Sequence, residues 1–245
     1  MPPKKSKSEG SGSKPTGELV NWYEHMPKKF IRKYHNPHFD VHHISIPFRC
    51  CIIGRSGAGK TQTLMNLIKT MADTFEKIYI ITKNSDEPIY NWVKDKFKDT
   101  KEIEVLEGVE NIPDIDKLDK EKQSLIVFDD LVNERNQKPM ESYFLRARKK
   151  NASMIYISQD YYSIPKMIRN NMTYLIIKQV SSMKNLTMIA REFSLGLDKK
   201  KLTEIYQHAT AEVPSFLMID LEGEPKYRFR KNFTEYYEVP EDDNN

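Results

Sequence analysis

The stretch Ile52–Thr63, IIGRSGAGKTQT, carries the pattern G-x-x-x-x-G-K-[ST], with Gly54, Gly59, Lys60 and Thr61 in the fixed places. Gly54, Gly57 and Gly59 allow backbone turns closed to residues with a side chain, so that amide N–H groups can close on phosphate oxygens. Arg55, Ser56 and Ala58 complete the cradle, Lys60 supplies a point charge for the β- and γ-phosphates of ATP, and the Thr61 hydroxyl is a ligand for Mg²⁺. The context agrees. An apolar run precedes the loop (RCCIIG, 49–54), and Leu64, Leu67, Ile68 and Met71 repeat behind it at helical spacing. A helix starting near Lys60 turns its positive end toward the anion.

Working outward, apolar runs of strand length recur at 77–82, 102–107, 124–129, 153–158, 173–178 and 215–220. Near-continuous apolar runs mark strands buried on both faces, which predicts a parallel sheet. Helical stripes alternate with them: Met183, Leu186, Ile189, Ala190 and Phe193, then Leu202, Ile205, Tyr206 and Ala209, all expected to face the core. Strand–helix alternation over this length implies one doubly wound α/β domain.

The chain has 245 residues and a formal net charge of +4, with 38% apolar and 30% charged residues. That is long enough to bury a full core. Basic clusters stand at Lys4–Lys7, Lys28–Lys33, Arg146–Lys150 and Lys226–Lys231; each is compatible with nucleic acid and with plain solvated surface. The only cysteines, Cys50 and Cys51, are neighbours on a strand, point to opposite faces and are poorly placed to bridge. A reducing compartment is expected, with no membrane partner, since no apolar run has spanning length. Residues 1–17 read as a disordered basic tail, 18–47 as an N-terminal extension, 48–235 as the nucleotide-binding domain and 236–245 as an acidic tail. The histidines of the extension, His35, His38, His42 and His43, match no zinc spacing.

Two further strand ends carry chemistry. SLIVFDD closes on Asp129, a second Mg²⁺ ligand, and Asp130, which can orient or deprotonate the water that attacks the γ-phosphate. SMIYISQD closes on Ser158 and Gln159, where parallel-sheet ligands collect; a neutral amide there can hydrogen-bond both phosphate and water.

In this order, HHISIPFRCCIIGRSGAGKT, LIVFDDL and YFLRARKKNASMIYISQDYYSIPKMIRNN resemble the FtsK–HerA superfamily of DNA-pumping ATPases. Within it the chain is similar to the poxvirus-type genome-packaging ATPases of large DNA viruses and virophages, most of all, given its length, to the virophage members. The likeness covers residues of about 40 to 180. It implies a RecA-like P-loop NTPase fold with a mainly parallel central sheet flanked by helices, and places the Gln159 strand between the Asp129 strand and the loop strand. It also implies a homo-oligomeric ring, pentamer or hexamer, with ATP at subunit boundaries, double-stranded DNA through the centre, capsid or portal vertex proteins as partners, and a place in the virion or viral factory. An arginine acting across the boundary is expected in the segment before the Gln159 strand. Arg148 fits that turn better than Arg146, with Ala147 and Lys149 departing from the family's flanking residues, and Arg169 is the second candidate. Rival readings are a small-molecule kinase using Asp130 as its base, a nucleotide-gated switch, and a DNA-binding module with a vestigial loop.

Overall fold

The computed structural model describes residues 19–193 and 195–238, which separate into two units, Met1–Lys33 and Tyr34–Asn245. The described part of the first is a turn followed by one 3-10 turn, Lys28–Phe30, with Trp22, Tyr23, Phe30 and Ile31 exposed. The basic tail expected over 1–17, and residues 239–245 of the acidic tail, lie outside the described residues.

In the second unit the elements run α1 (Phe39–His42), β1 (Arg49–Ile53), α2 (Lys60–Thr70), β2 (Lys77–Thr82), α3 (Pro88–Lys96), β3 (Ile103–Glu107), β4 (Ser124–Asp129) and α4 (Lys138–Arg146). They continue with β5 (Ala152–Ser158), α5 (Lys166–Arg169), β6 (Tyr174–Ile177), α6 (Lys184–Glu192), α7 (Lys199–Ala209), β7 (Leu217–Asp220), β8 (Phe229–Lys231) and β9 (Glu235–Tyr236). Among the described residues the strands form one sheet in the order β3-β2-β4-β5-β1-β6-β7-β8-β9. From β3 to β6 every pairing is parallel, and β5 lies between β4 and β1 as the resemblance implies. From β7 onward the pairings are antiparallel.

All seven apolar runs are strands, but the last runs against its neighbour rather than with it. The reason is that a continuous apolar run reports burial on both faces, not chain direction. β8 covers the outer edge of β7, so β7 is an interior strand, and α6 and α7 carry the chain from β6 back to it in the opposite direction.

Period-two alternation sorts the strand side chains into two cores. One holds Cys51, Phe128, Tyr156 and Leu175 with residues of α4, α5, α6 and α7; the other holds Cys50, Val127, Ile155 and Ile176 with residues of α2 and α3. The adjacent cysteines are thus both buried, one in each core. One helical expectation shifts. Met183, expected in the core, is 40% exposed, because α6 begins one residue later and Met183 only caps it. Asn185 is buried in its place, its Oδ1 accepting the Tyr161 N–H.

Residues 34–47 are integral to the nucleotide-binding unit rather than an extension of it. Gln123 exchanges two hydrogen bonds with the His35 backbone, and Ile44 packs in the core beside Phe48. Arg230 of β8, 1% exposed, donates to the His43 carbonyl at 3.0 Å and stands 3.5 Å from Asp220. At the other end, Tyr236 closes β9, and Tyr237 donates its N–H to the Phe229 carbonyl and contacts His208. The folded unit therefore runs two residues past the 235 boundary. These two tyrosines interrupt what the sequence suggests is a polar tail, and the sheet edge gives them partners.

His42 is fully buried; its Nδ1 accepts the Ile44 N–H, and its Nε2 meets no partner among the described residues. Burial, then the neighbouring His43, His38 and Arg230, lowers its pKa from 6.5 to about 4. The folded protein thus resists a proton that the unfolded chain accepts, so stability falls as pH drops from 6.5 toward 4, by up to about 3 kcal/mol. The expected outcome is that His42→Asn flattens the slope of unfolding free energy against pH in that window, measured by denaturant titration. An unchanged slope would assign the acid sensitivity to other groups.

Candidate active site

The loop 54–61 leaves β1 pinned on both sides. The Gly54 N–H donates to the Ser158 carbonyl at the end of β5 (3.2 Å), and the Arg55 N–H donates to the Gln179 carbonyl just beyond β6 (2.8 Å). Gly59 then caps α2 at φ 81°, a left-handed conformation that favours glycine. Gly54 is needed for a different reason than the sequence suggests. Its φ is ordinary, but a Cβ there would stand 2.6 Å from the Lys178 Cβ. The Arg55 guanidinium reaches the Gln179 side chain at 2.9 Å, while Ser56 and Gly57 stay exposed and Ala58 turns into the core.

Lys60 folds back over the loop, its Nζ donating to the carbonyls of Gly54 (2.9 Å) and Arg55 (3.2 Å). Burial lowers its pKa, against the opposing pull of Asp129, Asp130 and Glu87. These groups share one cleft of ≈ 420 Å³, lined also by Gly57, Gly59, Thr61, Ser158 and Gln159. The structure thus brings together Lys60, Thr61, Asp129, Asp130 and Gln159 from three separate sequence segments.

β4 delivers Asp129 into the cleft while keeping it out of water. It is 7% exposed, and burial raises its pKa to about 6, Glu87 and Asp130 adding to the rise while Tyr90 and Lys60 oppose it. The next residue, Asp130, is exposed and sits at φ 54°, in the left-handed region that Asp tolerates. The following loop is held by Gln137, whose Nε2 donates to the carbonyls of Leu131, Val132 and Glu134 while its Oε1 accepts from Tyr156. On β5, Ser158 Oγ donates to the Asp160 carbonyl, making the turn that exposes Gln159.

Thr61 and Asp129 offer one hydroxyl and one carboxylate. No cluster of three or more His, Cys, Asp or Glu suited to a metal exists among the described residues. That donor set fits Mg²⁺, which takes one or two protein oxygens and completes its shell with water and substrate phosphates.

Sequence reasoning missed two residues. Tyr90 of α3 donates its hydroxyl to Asp129 Oδ2; its signal was Pro88 at a helix start followed by Tyr90, Val93 and Phe97 at helical spacing. Lys178 is buried behind the loop, donates to the Pro214 carbonyl and has its pKa pushed down to about 8 by burial. No sequence pattern marks it, since it ends an ordinary apolar run.

The arginines separate clearly. Arg169 is buried, pairs with both carboxylate oxygens of Glu192 (3.0 and 2.9 Å) and lies over the Tyr161 ring. Arg146 pairs with Asp116. Arg148 is exposed, ahead of the first residue of β5, and its charge acts on the half-buried Arg49 at the start of β1. The 7 residues of β5 put Arg148 about 20 Å from Gln159, at the opposite end of the strand.

A protein-family profile described as Poxvirus A32 protein matches residues 37–215. DNA packaging protein OPG160 of monkeypox virus is 27% identical over 149 residues, covering 56% of this chain and 50% of the relative. The variola virus protein of the same name is 28% identical over 149 residues, covering 56% and 55%. The chain therefore spans about half the length of the curated relatives it matches. Among solved structures, the genome packaging NTPase B204 from Sulfolobus turreted icosahedral virus 2, in complex with ATP-gammaS, matches with a TM-score of 0.57 at 12% identity, covering 77% of this chain and 98% of that one. B204, the DNA-packaging ATPase from Sulfolobus turreted icosahedral virus, matches at 0.53 with 16% identity over the same shares. At these identities the likeness establishes a shared fold.

The raised Asp129 pKa has a consequence for stability. At neutral pH the folded state holds a carboxylate whose charge is less favourable than in the unfolded chain, and this cost grows as pH rises from about 4 to about 6. Asp129→Asn should accordingly raise the unfolding free energy at pH 7.5, by on the order of 1–3 kcal/mol. Thermal and denaturant melts check it; a fall would mean that Lys60 and Tyr90 more than offset the burial.

Proposed function

We propose that this chain, which belongs to the Poxvirus A32 protein family, is an Mg²⁺-dependent ATPase that drives double-stranded DNA into a viral capsid. One observation carries the reading. The strand leading to Gln159 lies between the strand leading to Asp129 and Asp130 and the strand feeding the phosphate loop, so a base, an amide and a cation line one cleft. The relatives' name, DNA packaging protein, supports the choice of DNA as cargo.

In this reading the loop amides and Lys60 hold the β- and γ-phosphates of ATP, and Thr61 and Asp129 are the protein ligands of Mg²⁺. The ion, when bound, neutralises charge that develops between the β- and γ-oxygens. Asp130 accepts a proton from the attacking water as its oxygen bonds to the γ-phosphorus and the bond to the bridging oxygen of ADP breaks. Gln159 orients that water against the phosphate. Hydrolysis rather than transfer fits an exposed Asp130 in an open cleft, where water is the available nucleophile.

Arg148 cannot serve its own cleft from about 20 Å away. It serves a neighbour's, which requires a head-to-tail ring of five or six copies. Such a ring presents the same basic surface repeatedly to DNA passing its centre, and grips phosphates rather than bases because a pump must ignore sequence. Capsid or portal vertex proteins would hold it in place.

The test is the ATPase rate with and without long duplex DNA, alongside the mass of the assembly. DNA-stimulated turnover by an oligomer is the expected result; a monomer indifferent to DNA would overturn the reading. Asp130→Asn should bind ATP within about twofold of wild type while losing at least ~100-fold in hydrolysis. Parallel loss of both would assign Asp130 to structure. Arg148→Ala protein titrated into wild type should lower activity more than in proportion to its share, and strictly proportional loss would remove catalysis across subunits.

A further inference from the structure

Tyr90 is 0% exposed, and its ring packs in the α2–α3 core with Leu64, Leu67 and Val93. A phenylalanine would fill that space as well. The hydroxyl is therefore surplus to packing, and a buried phenol needs hydrogen-bond partners. It finds them at the cleft. The O–H donates to Asp129 Oδ2, and the Thr61 hydroxyl lies near enough to the same phenol to act on it.

Donor inventory fixes the direction of the chain. A phenol has one proton, and an ionised carboxylate can only accept. With its proton on Asp129, the Tyr90 oxygen is left to accept from the Thr61 hydroxyl. Each proton in the series Thr61, Tyr90, Asp129 is then directed along the chain. The lone pairs of the Thr61 oxygen and the second carboxylate oxygen of Asp129 remain available.

We infer that Tyr90 is a positioning residue for the cation of the nucleotide site, fixing at once the hydroxyl and the carboxylate that would ligate it. The inference rests on the proposed Mg²⁺-dependent ATPase. It adds that α3, which supplies none of the motif residues, sets the strength with which the site takes a divalent cation. Partners of this kind, one bond removed from the ligands, commonly change metal affinity by about 10–100-fold.

The experiment is equilibrium binding of ATPγS to the full chain, in EDTA and in Mg²⁺, for wild type and Tyr90→Phe, with melting temperatures recorded. Tyr90→Phe is expected to match wild type within about twofold in EDTA and to lose ~10-fold or more of the gain that Mg²⁺ confers. Val93→Ala, which loosens the same helix without touching the hydroxyl, should lower the melting temperature and keep the gain. Retention of the full Mg²⁺ gain by Tyr90→Phe overturns the inference, as does a loss shared equally by Val93→Ala. Should Tyr90→Phe melt early, all three proteins are compared well below its melting temperature, where ATPγS binding in EDTA reports the intact fold and the same two outcomes decide. A wild-type protein without any Mg²⁺ gain is a separate result, which removes the proposed function itself.

Discussion

The arrangement depends on a carboxylate held out of water. Asp129 sits at the end of a fully buried strand with its charge disfavoured by burial, and the nearby groups answer that charge. Lys60 opposes it from across the cleft, and Tyr90 donates to it from α3. A buried charge that is only partly compensated is destabilising in the free protein and waits for a counterion. The phosphate loop is fixed by the same sheet, since the amides of Gly54 and Arg55 bond to the strands on either side of β1. Cleft and core are therefore one structure: the strand order that closes the two hydrophobic faces also sets the acid, the amide and the lysine side by side.

The parts legible in the sequence were those governed by local pattern. Seven strands announced themselves because their runs are rich in apolar residues, and the loop because its glycines and lysine have fixed spacing. The place of β5 between β4 and β1 came from the family resemblance, as no local signal encodes which strands pair. What escaped were contacts between segments remote in sequence. Tyr90 meets Asp129 across 39 residues, and Arg230 meets His43 across 187, and neither residue type is unusual where it stands. The short β8 and β9 gave no run long enough to notice, and nothing in the apolar run of β7 marks that it pairs antiparallel with β6. Residues 34–47 looked polar and histidine-rich, yet a few buried side chains and a guanidinium bind them into the fold.

The three candidate arginines differ in the partners they have. Arg169 and Arg146 already have carboxylate partners, and Arg169 is buried as well. Arg148 remains exposed ahead of β5, at the end opposite the cleft. A parallel strand is a spacer of fixed length, so the same β5 that presents Gln159 at one end sets the reach of Arg148 at the other.

The paired thiols at the centre of the sheet have their own consequence. Cys50 and Cys51 lie on β1 between β5 and β6, and burial pushes both thiols far above their usual pKa. An alkylating reagent attacks only thiolate, so the closed protein is inert to it. Each modification then marks an occasion on which the strand feeding the nucleotide loop has come apart from its neighbours. The chain thus contains its own clock for opening of its innermost strand, and anything gripped by the loop should slow the ticking.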